Sequence, residues 1–301
     1  MNLGTFNLKN SILLIGLASF LIISCDDSKK EIVSDELSDK DTIKSVGLNF
    51  DGELFSFPSP VQTALLIQKS GAHYDKLMLN PGNKHTLYKT DFSKSLNLGV
   101  YGADLGYVSI HNQTQDALIY LAAVKSLSDN LGISKAFDNE MITRIKDNIS
   151  IKDSMLVLVG LAYRQSDSYL KANKRKEISS LILTGGWLES MHFLLKAHGK
   201  KSNQDIKNRI AEQKRILKSL IKLLKSHNLP EASNLISDLE RLFAVFDTVI
   251  YKYTFIEPTT DEFNKTTTIN SFTDITITEN QINEMTEIVS RIRKSIINSK
   301  S

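Results

Sequence analysis

Residues 203–226 read NQDIKNRIAEQKRILKSLIKLLKS, and their spacing decides the fold class. Apolar side chains stand at Ile206, Ile210, Leu217, Leu220, Ile221 and Leu224. A 3.6-residue turn brings such positions onto one face, so the stretch predicts an amphipathic helix. The other face is basic: nine Lys or Arg lie between Lys200 and Lys225, against Asp205 and Glu212. It suits solvent, and it also has the chemistry to lie on anionic lipid or polysaccharide.

The same pattern extends outward in both directions. Helices are expected over about 91–110, 113–131, 135–148, 152–172, 175–198 and 230–252, with short breakers between them. Leu131-Gly132 reads as a C-cap followed by Ser134 as an N-cap, Asn173 and Gly199 mark two further ends, and Asn228-Leu-Pro230 places a cap and a proline at a helix start. Long helices on short connections pack as antiparallel neighbours, so the fold is expected to be all-α, a multi-helix bundle or stacked helical hairpins. No fixed-period repeat marks a solenoid.

Three segments differ from this pattern. Val46–Phe57 alternates loosely and suits a short strand or an extended lead-in. Ser59-Pro60 then opens a helix whose apolar positions are Ala64, Leu65, Ile67 and Leu77, stopped by Asn80-Pro81-Gly82. Between Tyr251 and Thr278 the chain is rich in Thr, Phe and Ile, and strands over Tyr251–Ile256 and Thr266–Thr278 predict a β-hairpin insertion near 251–278. Helix resumes over Glu279–Asn298 with Thr278 as N-cap and Ile282, Met285, Ile288, Val289, Ile292 and Ile296 on its apolar face.

The front of the chain carries a different signal. Lys9 precedes an apolar run from Ile12 to Ile23 that ends at Ser24-Cys25. The run falls short of the about 20 apolar residues a stable span needs, and it fits a secretory leader. Ile22-Ile23-Ser24-Cys25 resembles the lipobox of bacterial lipoproteins, whose cysteine is acylated and becomes the first mature residue. The resemblance implies a signal peptide over 1–24 and lipidation at Cys25; the polar composition behind it reads as a flexible tether over 25–45, and the helical pattern as one mainly helical domain over 46–301. Two acyl chains on one terminus meet the requirement for lasting membrane attachment. Asp26-Asp27 has two readings: it is similar to an inner-membrane retention signal of enterobacterial lipoproteins, and to a surface-export signal of Bacteroidota. The Asn-, Lys- and Ile-rich composition looks more like the second group. With the helical body, the chain resembles uncharacterised, mainly helical envelope lipoproteins of Bacteroidota, which implies an outer-membrane location, on the periplasmic or the cell-surface face.

Composition closes off several functions. Lys9 is the only charged residue of the leader, so 36 basic residues face 34 acidic ones beyond it, and no global charge argues for nucleic acid. Cys25 is the only cysteine, which leaves no intramolecular disulfide and no thiolate metal site. No G-x-S-x-G, H-E-x-x-H, P-loop or dinucleotide glycine fingerprint occurs. The histidines His73, His85, His198 and His227 form no ligand array.

Two stretches concentrate unusual chemistry. Residues 98–107, LGVYGADLGY, place Gly99, Gly102, Ala103 and Gly106 at helical spacing. Each glycine costs a helix roughly 1 kcal/mol against alanine, so close approach of a helix or a ligand is expected to compensate. Tyr101 lies in this stretch, and Asp104, Tyr107 and His111 follow one another on an adjacent stripe. Residues 184–192, TGGWLESMH, set Gly185 and Gly186 beside Trp187, with Glu189 and His192 at the Glu-x-x-His spacing of di-iron bundles. That chemistry needs a second such pair, and the chain has one, so no metal or cofactor is expected. Tyr163, Arg164 and Tyr169 sit on the preceding helix, with no spacing that ties them to the site.

These residues support two readings. In the first, the chain is a non-enzymatic, lipid-anchored binding or scaffold module with an envelope protein or glycan as partner. In the second, Tyr101, Asp104, Tyr107, His111, Trp187, Glu189 and His192 line a ligand-binding or hydrolytic cleft between the two Gly-rich helices. An open pocket at these side chains favours the second, whereas a buried, mutually bonded set holds the fold together.

Overall fold

The computed structural model describes residues 45–50, 53–136, 139–200 and 203–299, all of which lie in one compact unit, Thr42–Ser301. The expected leader, Cys25 and the expected tether as far as residue 44 lie outside the described residues. The domain opens with an antiparallel hairpin of β1 (Ser45–Phe50) and β2 (Glu53–Pro58), with Val46 opposite Phe57. Helices α1 (Pro60–Lys69), α2 (Asp91–Ile110), α3 (Thr114–Asn130), α4 (Asn139–Asp147) and α5 (Lys152–Ala172) follow. Then come α6 (Lys176–Lys200), α7 (Gln204–Ser226) and α8 (Ser233–Asp247). A β arm and α9 (Glu279–Ile297) complete the chain. The molecule is all-α with β-hairpins, and among the described residues no helix is long and apolar enough to cross a membrane.

Helix α6 is the axis of the bundle. Its side chains are buried on every face from Ile178 to Leu195, so it has no solvent stripe and needs neighbours all round. Helices α1, α2, α5, α7 and α9 supply them, and α2 makes the most extensive contact. Glycine sets how closely α2 and α6 approach. A Cβ on Gly99 would stand 2.0 Å from the Ile182 carbonyl oxygen, and one on Gly185 would stand 1.9 Å from that of Leu96. Gly99 and Gly185, one from each Gly-rich stretch, therefore let two backbones touch, while Gly102 and Gly106 make room for Tyr163 and Val61.

Several ends follow local chemistry. After α3, Gly132 takes φ +67°, and the N–H groups of Gly132 and Ile133 bond to the carbonyls of Asp129 and Ser128, closing a Schellman cap. Thr278 caps α9 in a reciprocal capping box with Gln281. Other boundaries move. Helix α1 stops at Lys69 because Gly71, at φ +85°, turns the chain, and Leu77 is left 94% exposed on a 3-10 turn, Lys76–Met78. Gly199 lies inside the last turn of α6, and Pro230 opens a 3-10 turn, so α8 begins at Ser233. Ser134 starts a 3-10 turn ahead of α4.

The arm is longer than one simple hairpin. Strand β3 (Ile250–Thr254) pairs antiparallel with β6 (Phe272–Thr276), and β4 (Thr259–Asp261) with β5 (Thr266–Thr268). Side chains bridge the gap between the two ladders: Ser271 Oγ bonds both the N–H and the carbonyl of Ile256, and Asn270 Nδ2 donates to Glu257 O. At the tip Asp261 Oδ1 accepts from the N–H groups of Phe263 and Asn264. At the base Tyr251 donates to the Ala211 carbonyl on α7 at 2.7 Å.

Candidate functional site

Helices α2 and α6 cross on their glycines, and this brings two acids together in the core. Asp104 from α2 and Glu189 from α6 are both 0% exposed. One cation meets them: Arg293 of α9 donates from Nε and Nη2 to the two oxygens of Glu189, each at 2.6 Å. The same Nη2 donates to the Met78 carbonyl at 2.9 Å. Asp104 Oδ2 accepts the Asn80 N–H at 3.3 Å, while Oδ1 meets no donor. Burial, then the Glu189 charge, push the Asp104 carboxyl well above the ordinary carboxylate range.

These groups fix an irregular segment, Met78–Pro81, through the core. Tyr120 donates to the Asn80 carbonyl at 3.0 Å and Tyr101 to the Pro81 carbonyl at 2.9 Å. Asn80 Nδ2 donates to Tyr88, whose hydroxyl donates on to the Ile297 carbonyl at the end of α9. Asn97 Nδ2 reaches the Ile296 carbonyl at 3.1 Å. A buried loop must find partners for its backbone polar groups, and this one finds them in side chains of α2, α3 and α9.

The predicted cleft residues are thus split up. Tyr101, Asp104 and Glu189 join one buried network. Tyr107 lies elsewhere: its ring stacks on Phe193 at 4.7 Å and on Tyr74 at 5.7 Å, and its hydroxyl accepts the Asp75 N–H. His111 is half-buried beside Tyr107 and makes no bond to Asp104. Trp187 turns away from the acids and donates to Gln213 on α7 at 3.1 Å. His192 is buried near Glu189 and Arg293, and desolvation pushes its imidazole down to about 4. Tyr163 does reach the helix pair, with its hydroxyl against Gly102 and Gly186. Among the described residues no group of three or more His, Cys, Asp or Glu is placed to hold a metal.

Comparison with protein-family models, curated proteins and solved structures finds no match. Function therefore rests on the chemistry of these residues. The acid pair accepts a guanidinium and a backbone N–H, and both its members are wholly buried, which leaves no face of it open to a substrate.

The partners that sequence reading missed are Arg293, Asn80, Tyr88 and Tyr120. Arg293 had a signal: it stands four residues after Val289 and three before Ile296, within the apolar stripe of its own helix. A lone arginine in such a stripe implies a buried acid elsewhere.

A second feature is on the outside. Ile250, Tyr253, Phe255, Ile256, Phe263, Ile269 and Phe272 are all exposed on the arm, with Phe263 at 94% and Phe255 at 69%. Single exposed apolar side chains are ordinary, and seven on one arm make it a candidate interaction surface.

Proposed function

We propose that the chain is a lipid-anchored, non-enzymatic module of the bacterial outer membrane, facing the periplasm or the cell surface, that binds an envelope protein or glycan through its β arm. The anchor is supported by Ile22-Ile23-Ser24-Cys25 and the polar stretch behind it. One observation carries the binding role: seven large apolar side chains left in solvent gather on the arm, while Glu189 is spent on Arg293 and Asp104 is sealed in the core. The ligand-binding or hydrolytic reading keeps one observation in its favour, an apolar cavity of about 60 Å³ lined by Leu98, Gly102, Tyr163 and Ile182. That lining suits a short apolar group better than a glycan.

Photo-crosslinking in intact cells tests the proposal. A photoreactive residue at 263 is expected to give a discrete adduct in the membrane fraction, and the same residue at exposed Leu77 none. Cys25→Ala should remove both membrane retention and the adduct. An identical pattern from both positions, or full retention of the Cys25→Ala protein, would overturn it.

A further inference from the structure

Among the described residues Arg293 is the one cation bonded to the Asp104–Glu189 pair, and it is committed to one acid. Its Nε and Nη2 saturate both oxygens of Glu189, leaving none of these bonds for Asp104. Asp104 receives a single long bond, from the Asn80 N–H, and no donor reaches Oδ1. Asp104 is wholly buried, and among the described residues no Lys, Arg or His bonds it, so an ionised Asp104 would have no paired cation. With both ionised, the set of two acids and one guanidinium would carry an uncompensated negative charge in a fully buried site, which costs several kcal/mol.

We infer that Asp104 and Glu189 hold one buried proton between them, carried by Asp104 and donated to Glu189, and that this proton latches the Met78–Pro81 segment and α9 onto the α2–α6 pair. It makes the set electrically neutral and supplies the missing donor at Oδ1. Asp104 then acts as a neutral acid at physiological pH, a state favoured by burial and by the adjacent Glu189. Every neighbour fits this assignment. His192 faces the pair from α6, Arg293 from α9, Tyr101 from α2 itself, Tyr120 from α3 and Tyr88 from the loop. The three tyrosines are raised, first by burial, so they remain uncharged donors, and His192 is neutral above about pH 4.

The sign of the pH dependence follows. A carboxyl whose pKa is raised in the fold lends stability that is complete below its unfolded value and is lost as pH rises through its folded value. Removing the proton leaves two carboxylates against one guanidinium, and the segment held by Asn80 and Met78 loosens. The latch rests on the buried network alone and does not depend on the anchor or the arm.

Infrared difference spectroscopy of the intact protein against Asp104→Asn tests it. The wild type at neutral pH is expected to show the carbonyl stretch of a protonated carboxyl that Asp104→Asn lacks. Asn supplies a neutral donor at the same place, so the variant folds and provides a second readout. Amide exchange at Leu79 and Asn80 should accelerate in the wild type relative to Asp104→Asn by about tenfold per pH unit once the proton leaves. Absence of the acid band at neutral pH would overturn the inference. So would a melting temperature that depends on added sodium or potassium at fixed ionic strength, since a bound cation would then replace the proton.

Discussion

At the residue scale, the interior is organised by groups whose charge burial has altered. His192 is buried, and desolvation pushes it down to about 4, so it is neutral in the fold and protonates in the unfolded chain below about 6.5. Its stabilising contribution is therefore present above pH 6.5 and is lost as pH falls toward 4. The shift amounts to roughly 3 kcal/mol, an order-of-magnitude figure. Half-buried His111 is also lowered by burial and acts in the same direction. Denaturant unfolding of His192→Gln between pH 6.5 and 4.5 should show a flatter acid limb than the wild type, with the His111 part remaining. Parallel curves would place no titration at His192.

The sequence made some of these residues conspicuous and not others. Asp104 and Glu189 stood out because each interrupts a run of small and apolar residues, and the fold brings these two together. Their bonds were not legible, because a partner such as Arg293 lies 104 residues from Glu189 and is delivered only by packing. Asp104 and His111 share a helix stripe, but seven residues set them about 10 Å apart along the axis, and each finds other neighbours.

At the scale of elements, the helices were legible wherever apolar spacing and caps agree. Helices α2 and α5 keep their expected bounds, and Thr278 caps α9 as its sequence predicts. Ends that depend on a single backbone conformation were not legible. Gly71 ends α1 with a positive φ, whereas Gly199 is an ordinary helical residue with open space around it. This contrast predicts opposite outcomes for one substitution. Gly185→Ala drives a methyl into the Leu96 carbonyl, forces α2 and α6 apart and should cost about 1–3 kcal/mol. Gly199→Ala meets nothing within 4 Å and should stabilise by about 0.5–1 kcal/mol. Thermal melting of the two variants side by side checks the pair. Equal shifts would mean that the close crossing of α2 and α6 is not what Gly185 provides.

At the scale of the whole molecule, the Arg293–Glu189–Asp104 set ties together elements far apart in sequence. It holds α2, α6, α9 and the Met78–Pro81 segment at one point, next to the axis helix. The arm lies outside this network, joined to α7 by the Tyr251 hydroxyl. A sealed interior and an apolar arm divide the work: one part holds the fold and the other offers a surface. The sequence suggested the hairpin through its Thr- and Phe-rich composition. It could not indicate that the apolar residues of the hairpin stay in solvent, because alternation alone does not say what covers a strand.

The most direct test of this division is equilibrium unfolding of Glu189→Gln. Removing the charge takes away the bidentate partner of Arg293, and breaking a buried pair typically costs about 3–5 kcal/mol, part of which ionisation of Asp104 returns. The expected result is a clear loss of stability, up to about that size, with helical content retained at low denaturant and the adduct from position 263 unchanged. A Glu189→Gln protein as stable as the wild type, but deficient in partner binding, would contradict the account and return the acids to a functional site.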